Sequence, residues 1–339
     1  MNHAIRNFVL QNGAVFPEAV IAYDTWGALA PDGRNAVLVT HGFTSNHHAA
    51  GIAHSSDDTA GWWDALIGPG KAIDTGRLFV VSSNMLGSSY GSTNPASVDP
   101  RTGKRYGPDF PEISVVDIVT AQKRLLEHLG VKHLVAVAGP SYGGYQAFQW
   151  GVTFPRAMNG LVAAVSAPKG TGGEAAVTEM VASLAKDPNW NGGWYYDNGG
   201  ILPTMTALRV AVLKRYGIEA QLAPQFPDPA ARETAIRKIS ETWARAFDAN
   251  GMVALRRASV RFDAEKDFSR IKAKLLYVLS STDRLFPPSL APEVMASLKA
   301  AGVDADYFQL ESDYGHLAAS RDAAKWAPVL KRFMDGLHR

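Results

Sequence analysis

Gly139-Pro140-Ser141-Tyr142-Gly143 forms a G-x-S-x-G pattern between an apolar run and a segment with helical character. The run before it is apolar from Leu134 to Ala138, and residues 144–150 after it can continue as a helix. This strand–turn–helix context is typical of a nucleophile elbow, in which a serine occupies a sharp turn at a strand end. Such a turn leaves no room for side chains two residues before and after the serine, and both positions are glycine. We therefore predict that Ser141 is a nucleophile.

The composition sets broad limits on what the protein can be. The chain has 339 residues, of which 46% are hydrophobic and 19% charged, as in a globular protein. A net charge of +2 gives no general electrostatic footprint for nucleic acid, and the absence of cysteine excludes disulfides and thiolate catalysis. No apolar run approaches the roughly 20 residues of a membrane span, and we expect no export signal, because Pro17 and Glu18 interrupt the apolar residues near the N-terminus. We expect a cytoplasmic protein without nucleic-acid or membrane partners.

Short apolar runs recur along the chain and alternate with longer amphipathic stretches. Residues 114–129, 291–298 and 323–337 have the spacing of helices, and strands that alternate with helices predict a mostly parallel sheet covered on both faces. The predicted strands are Ala19–Tyr23, Ala36–Thr40, Leu78–Ser82, Leu134–Ala138, Leu161–Ser166, Leu275–Leu279 and Tyr307–Leu310.

Between Lys169 and Lys266 this alternation is lost, and helix-like stretches are separated by Gly, Pro and Asn turns. The segment opens with Gly170-Thr171-Gly172-Gly173, which is a hinge rather than a phosphate loop because no Gly-Lys-Ser/Thr follows. We predict a core made of residues 1–168 and 267–339, with residues 169–266 inserted as a helical lid. Most of the lid aromatics are expected to form its own core, and one or two to line a substrate passage; they are Trp190, Trp194, Tyr195, Tyr196 and Trp243.

Asp283 and His316, which come later in the chain than Ser141, complete a catalytic series. A serine hydroxyl needs a base to remove its proton, and a third group to orient that base. Asp283 follows the predicted strand 275–279, and His316 follows the strand that ends at Leu310, so both lie at the carboxyl edge of the sheet. We predict Ser141 as nucleophile, His316 as general base and then acid, and Asp283 as the orienting carboxylate.

Other residues compete for these roles. Asp313 also lies between the serine and the histidine, and remains an alternative to Asp283. Several histidines cluster near the N-terminus and raise the possibility of a metal site, but without clear helical ligand spacing we expect no metal and no cofactor. These histidines are His41, His47, His48 and His54.

The two backbone donors of an oxyanion hole follow from the same arrangement. One is the N–H after the nucleophile, at Tyr142, and the other comes from the loop after an early strand. In that loop, His41-Gly42-Phe43, we assign the Phe43 N–H in preference to that of Gly42. Gly42 and Leu317 are placed among the residues that contact substrate.

With these motifs the chain resembles the homoserine O-acetyltransferase (MetX-like) branch of the α/β-hydrolases. The resemblance covers most of the core, and implies an α/β-hydrolase fold, a helical lid, a narrow approach to the serine, a covalent acyl-enzyme and a homodimer formed partly through the lid. It is carried by Ile67–Thr75, Asn84–Gly87, Gly91–Thr93, Tyr106–Pro111, Asp187–Gly193 and Asp283–Pro288.

The departures from that family bear on the substrate. The transferases carry an aspartate after the histidine, which grips the amino group of homoserine, whereas this chain has Leu317. The arginine expected after the sixth strand is also absent from Ser166–Gly170. Leaving a buried ammonium unpaired costs on the order of 3–5 kcal/mol, so Leu317 should exclude homoserine.

The sequence therefore predicts a serine esterase that acts on a small-molecule ester, with water as the acyl acceptor. The first alternative is an acyl-CoA-dependent O-acyltransferase with an alcohol acceptor other than homoserine. The second is a binding protein on a hydrolase scaffold, which the presence of all three catalytic residues disfavours.

Overall fold

The computed structural model describes residues 1–51 and 60–337. An eight-stranded sheet forms its centre. Its strands are β1 (Asn2–Val9), β2 (Val15–Trp26), β3 (Ala36–Thr40), β4 (Phe79–Ser83), β5 (Leu134–Pro140), β6 (Met158–Ala164), β7 (Lys274–Ser280) and β8 (Ala305–Leu310). Their spatial order is β1-β2-β4-β3-β5-β6-β7-β8. β1 and β2 are antiparallel to their neighbours, and the other six strands pair in parallel.

Helices cover both faces of this sheet, as the sequence predicts. Alternate residues of β3 face opposite cores: Leu38 packs in one cluster with residues of α1 (Val115–His128) and α2 (Tyr142–Thr153), while Val37 and Val39 pack in the other. Trp326 and Leu330 belong to that second core, on the C-terminal helix 323–336. The mostly parallel sheet between two helical layers confirms the predicted α/β-hydrolase fold.

The inserted segment contains five helices. The two ends of this segment lie side by side, because Lys169 near its start and Asp263 near its end form a β-bridge. Leu213, Ile218, Leu222 and Ile236 make a small hydrophobic core of its own. The helices are α3 (Gly173–Leu184), α4 (Leu202–Tyr216), α5 (Ile218–Leu222), α6 (Pro229–Ala246) and α7 (Ala249–Val260).

The C-terminal part returns to the sheet with three further helices. They are α8 (Ala291–Ala300), α9 (Ala318–Arg321) and α10 (Ala323–Gly336). Two short pairs of strands, Ile67–Gly68 with Ile73–Asp74 and Val98–Asp99 with Lys104–Arg105, lie outside the main sheet. Among the described helices, none combines the length and the apolar character that crossing a bilayer requires.

Several strands differ in extent from the sequence-based expectation: β2 spans Val15–Trp26 rather than Ala19–Tyr23, and the differences at β1 and β6 have a clear cause. β1 is absent from the predicted strands although Asn12-Gly13 is a hairpin signal, because polar residues interrupt the apolar pattern of that strand. β6 ends at Ala164 rather than Ser166, since the next residue, Val165, has a φ of 43° and cannot continue a strand.

Candidate active site

Ser141 lies at the sharp junction between β5 and α2. Its φ of 56° and ψ of −121° are unfavourable for a residue with a side chain, as a nucleophile elbow requires. A methyl group on Gly139 or Gly143 would overlap Thr40 on the adjacent strand β3. The Thr40 hydroxyl also donates to the Gly143 carbonyl over 2.9 Å. Close approach of β3 therefore requires both glycines and holds the turn in place.

His316 and Asp283 reach this serine from the carboxyl ends of β8 and β7. His316 Nε2 lies 2.9 Å from Ser141 Oγ, and His316 Nδ1 lies 2.8 Å from Asp283 Oδ2. The other carboxylate oxygen of Asp283 accepts from the backbone N–H groups of Leu285 and Phe286 at 2.8 and 3.3 Å. Both partner side chains are buried, with 5% exposure for His316 and none for Asp283. The three predicted residues thus form one hydrogen-bonded series.

Aromatic rings fix the plane of the imidazole. The Tyr216 ring at the end of α4 lies 4.8 Å from the His316 ring, and the Phe286 ring lies 5.6 Å from it. The competing carboxylate, Asp313, is exposed on the loop that precedes the histidine. The structure therefore brings Asp283 rather than Asp313 to His316.

The two predicted oxyanion donors lie beside the serine. A Cβ on Gly42 would be 3.7 Å from Ser141 Cβ, which places the loop after β3 against the nucleophile. The rings of Phe43 and Tyr142 stack with centroids 6.0 Å apart. Within the described chain, neither the Phe43 N–H nor the Tyr142 N–H donates to a backbone acceptor. Two free donors next to a serine can stabilise a developing negative charge.

The Tyr142 side chain is occupied elsewhere. Its hydroxyl donates to the Leu255 carbonyl over 3.1 Å, and burial raises its pKa well above the ordinary value. The neighbouring Tyr145 has its pKa raised to about 12, chiefly by burial. Both phenols therefore stay protonated at neutral pH.

Leu317 follows the histidine and is half-buried. It packs against the small hydrophobic core of the inserted segment, formed by residues of α4, α5 and α6. The position that would carry an acidic group in the transferases is therefore an apolar contact between the histidine loop and the insertion.

An arginine that the sequence analysis does not single out, Arg209, lies close to the loop after β3. Arg209 Nη1 donates to Thr44 Oγ1 over 2.7 Å, and its guanidinium lies 4.7 Å from the centre of the Trp243 ring. Its Nε is buried without a partner among the described residues. Burial lowers the pKa of Arg209, but an arginine remains charged at neutral pH. The sequence contains a signal for this residue, because Arg209 is the one charged residue between Leu202 and Leu213.

The N-terminal histidines do not form a metal site in the described part of the chain. His48 Nδ1 lies 3.3 Å from Asp24 Oδ2, and His47 Nε2 lies 4.0 Å from Asp24 Oδ1. No group of three or more candidate ligands is found among residues 1–51 and 60–337. His54 lies outside the described residues, and His41 is buried in the loop beside the serine.

Comparison with known proteins places the chain in a family. Residues 35–321 match the family with the alpha/beta hydrolase fold. The homoserine O-acetyltransferase of Geobacter metallireducens is 35% identical over 97% of this chain and 95% of its own. The crystal structure of esterase E22 is 28% identical, with a TM-score of 0.90 over 98% of this chain and 99% of that one. That of homoserine O-acetyltransferase from Bacillus anthracis is 26% identical, with a TM-score of 0.89 over 99% and 97%.

The chain therefore belongs to the α/β-hydrolase family. Within it, curated relatives that match over nearly the full length include homoserine O-acetyltransferases, which confirms the resemblance carried by the sequence motifs. An esterase and a transferase superpose on it almost equally well, so the reaction has to be argued from the site.

Proposed function

We propose that the protein is a serine esterase that hydrolyses small carboxylic esters through a covalent acyl-enzyme on Ser141. The observation that carries this proposal is the series Ser141–His316–Asp283, beside which two backbone N–H groups have no backbone acceptor within the described chain. A base within hydrogen-bond reach of the hydroxyl, itself oriented by a carboxylate, is what acyl transfer requires.

In the first half of the reaction, Ser141 Oγ attacks the ester carbonyl while its proton moves to His316 Nε2. Asp283 accepts the hydrogen bond from His316 Nδ1–H and stabilises the imidazolium that forms. The carbonyl oxygen becomes an oxyanion between the Phe43 and Tyr142 N–H groups. The tetrahedral intermediate then expels the alcohol, which takes its proton from His316.

In the second half, a water molecule takes the place of the alcohol. His316 removes its proton, and the hydroxide attacks the acyl carbon of Ser141. The oxyanion forms again at the same two donors. As it collapses, the bond between the acyl carbon and Ser141 Oγ breaks, His316 gives its proton to Oγ, and the acid product leaves. The inserted helices 169–266 act as a lid in this scheme, because Tyr216 at the end of α4 packs on the imidazole.

Water is proposed as the acceptor because Leu317 offers nothing to an ammonium group. It packs in an apolar cluster with residues such as Leu213 and Ile236. An ammonium bound there would lack a counter-ion, at a cost on the order of 3–5 kcal/mol, or about a hundredfold to several thousandfold in selectivity against homoserine.

A second candidate function rests on Arg209. A charged guanidinium whose buried Nε has no partner among the described residues suits an anionic group on the substrate. This favours an O-acyltransferase whose alcohol acceptor carries a carboxylate but no ammonium. It would equally suit hydrolysis of an ester that has a carboxylate in its alcohol half. The curated relatives named homoserine O-acetyltransferase add weight to this alternative.

The two candidates differ in one experiment. The wild type is compared in hydrolysis of p-nitrophenyl esters from acetate to octanoate, and in release of CoA from acetyl-CoA with and without homoserine or a hydroxy acid. The esterase proposal expects ester cleavage without acceptor-dependent CoA release, and loss of cleavage in Ser141→Ala. CoA release that requires the hydroxy acid, and that Arg209→Met abolishes, would instead establish the transferase.

Leu317 provides a matched pair of variants for the same assay. Leu317→Asp supplies a carboxylate beside the histidine, whereas Leu317→Asn has the same shape without the charge. We expect both variants to weaken the packing of residue 317 against the hydrophobic core of the inserted segment. Only Leu317→Asp should raise homoserine-dependent CoA release relative to ester hydrolysis. Equal behaviour of the two variants would mean that Leu317 does not decide the acceptor.

A further inference from the structure

The two N–H groups proposed as oxyanion donors belong to two peptide units. The carbonyl group of each of these units accepts a hydrogen bond from a buried side chain. A trans peptide is planar, and its C=O and N–H point in opposite directions. The Phe43 N–H therefore shares its plane with the Gly42 carbonyl, and the Tyr142 N–H with the Ser141 carbonyl. A hydrogen bond to either carbonyl fixes the direction in which the N–H on the far side points.

Ser166 holds the Ser141 carbonyl. Its hydroxyl donates to Ser141 O over 2.7 Å, from the end of the neighbouring strand β6. This carbonyl also accepts from the Gly144 and Tyr145 N–H groups in the first turn of α2, at 2.9 and 3.3 Å, so Ser166 supplies the contact from outside the helix. Ser166 is fully buried, and its own carbonyl accepts from the Tyr277 hydroxyl at 2.8 Å.

The backbone before Ser166 is strained. Val165 is β-branched and has a φ of 43°, a conformation that such residues rarely adopt. It is held there by a 2.7 Å hydrogen bond from its N–H to the Val278 carbonyl. Strain of this kind persists where the surrounding structure enforces it, and often serves a functional site. Here it turns the chain out of β6, so that the next side chain reaches the nucleophile.

His41 holds the Gly42 carbonyl on the other side. Its Nδ1 lies 2.9 Å from Gly42 O, and its Nε2 lies 3.0 Å from the Met85 backbone N. Because the Met85 N–H can only donate, Nε2 is the acceptor and Nδ1 carries the proton. His41 is therefore neutral and donates to Gly42 O, which also accepts from the Ser45 N–H at 3.1 Å. The ring is fully buried.

We propose that Ser166 and His41 are positioning residues for the oxyanion hole, each aiming one N–H donor by a hydrogen bond to the carbonyl of the same peptide unit. This inference rests on the proposed acyl-transfer function of Ser141. Neither side chain touches the substrate, and both act through the backbone. Their effect falls on the step in which the oxyanion forms, rather than on binding of the ester.

Ser166→Ala tests one donor, with Ser82→Ala as its matched control. Ser82 is equally buried, in β4, and its hydroxyl has no partner among the described residues. We expect Ser166→Ala to lower kcat about tenfold to a hundredfold with little change in KM, which is less than the hundredfold to thousandfold or so of a lost donor. Binding of a trifluoromethyl ketone, which forms an oxyanion with the serine, should weaken by a similar factor. Ser82→Ala should change neither.

Two substitutions of His41, by Asn and by Gln, distinguish the roles of its two ring nitrogens. The amide N–H of Asn can take the place of Nδ1–H, whereas Gln extends only to the position of Nε2. We expect His41→Asn to retain more of the wild-type kcat and inhibitor affinity than His41→Gln. Thermal unfolding of each variant is measured alongside, since both substitutions disturb a buried site.

The outcomes distinguish this inference from the proposed function. A wild type that neither cleaves esters nor binds the trifluoromethyl ketone would refute the esterase itself. An active wild type in which Ser166→Ala matches Ser82→Ala, or in which His41→Gln matches His41→Asn in kcat, would overturn the positioning roles alone. Parallel changes in KM, inhibitor affinity and stability would also overturn them, since a purely structural role would produce that pattern.

Discussion

At the residue scale, the orientation of His316 depends on which carboxylate faces its Nδ1. Asp283 is fixed on its other side by two backbone N–H groups, from Leu285 and Phe286. An amide at this position would keep its oxygen on those donors and turn its NH2 towards the imidazole. The histidine would then carry its proton on Nε2, and could not accept one from Ser141.

Asp283→Asn should therefore lower kcat for ester hydrolysis by about a thousandfold to ten-thousandfold. Asp313→Asn should leave it near the wild-type value, because Asp313 is exposed on the loop. Steady-state kinetics on both variants checks this. A severe loss in Asp313→Asn beside a mild one in Asp283→Asn would transfer the orienting role to Asp313.

At the scale of elements, the junction of α4 and α5 rests directly on the histidine loop. Gly217 has a φ of 97°, and a Cβ there would lie 3.1 Å from the Tyr314 carbonyl oxygen. On the other side, a Cβ on Gly315 would lie 3.2 Å from the Tyr216 carbonyl oxygen. This close approach of two backbones sets Tyr216 against the imidazole.

Gly217→Ala should consequently lower both stability and kcat. Gly302→Ala is the control, since Gly302 also has a positive φ, of 75°, but open space around the added methyl. Both variants bear a backbone strain of about 1–2 kcal/mol, and only the first also pushes the inserted segment away from the histidine loop. Urea unfolding and ester hydrolysis are measured for each. Equal activity in the two variants would mean that the junction does not hold His316.

The insertion illustrates what sequence patterns leave out at this scale. Loss of strand–helix alternation between Lys169 and Lys266 predicts a helical segment, and five helices lie there. The sequence does not reveal where Arg209 lies, because its position depends on how α4 packs over the loop that carries Thr44. Ser166 falls within a predicted strand, since the reversal at Val165 arises from contacts with β7 and not from a local turn signal.

At the scale of the whole molecule, the parallel sheet gathers the site at one edge. Ser141, Asp283 and His316 come from three segments far apart in the chain, and each follows the carboxyl end of a strand. Their chain order and these strand ends are readable from the sequence, which is why the sequence alone predicts these three residues. The distances between the three side chains cannot be read from the sequence, because they depend on the strand order and twist of the sheet.

Burial of His41 should make global stability depend on pH. Desolvation, with a smaller effect of His47, lowers the pKa of His41 to about 4, against a bond to the Gly42 carbonyl that raises it. Between about pH 6.5 and 4 the unfolded chain binds a proton at this residue that the folded protein does not. The free energy of unfolding should therefore fall as the pH drops through this window, by about 3 kcal/mol at most from His41.

Urea unfolding at several pH values, on the wild type and on His41→Asn, measures this contribution. We expect the wild type to lose more stability than the variant between pH 6.5 and 4, because Asn does not titrate. Parallel profiles would mean that the imidazole is protonated in the folded protein as readily as in the unfolded one.

The proposed function depends above all on an acyl group that passes through Ser141, and rapid quenching followed by peptide mass spectrometry detects that intermediate. The wild type is mixed with excess p-nitrophenyl acetate, stopped in acid during turnover, digested and mapped, with Ser141→Ala treated in the same way. We expect an acetyl group on the peptide that contains Ser141, absent from the variant. Acetylation of another residue, together with turnover that persists in Ser141→Ala, would show that Ser141 is not the nucleophile.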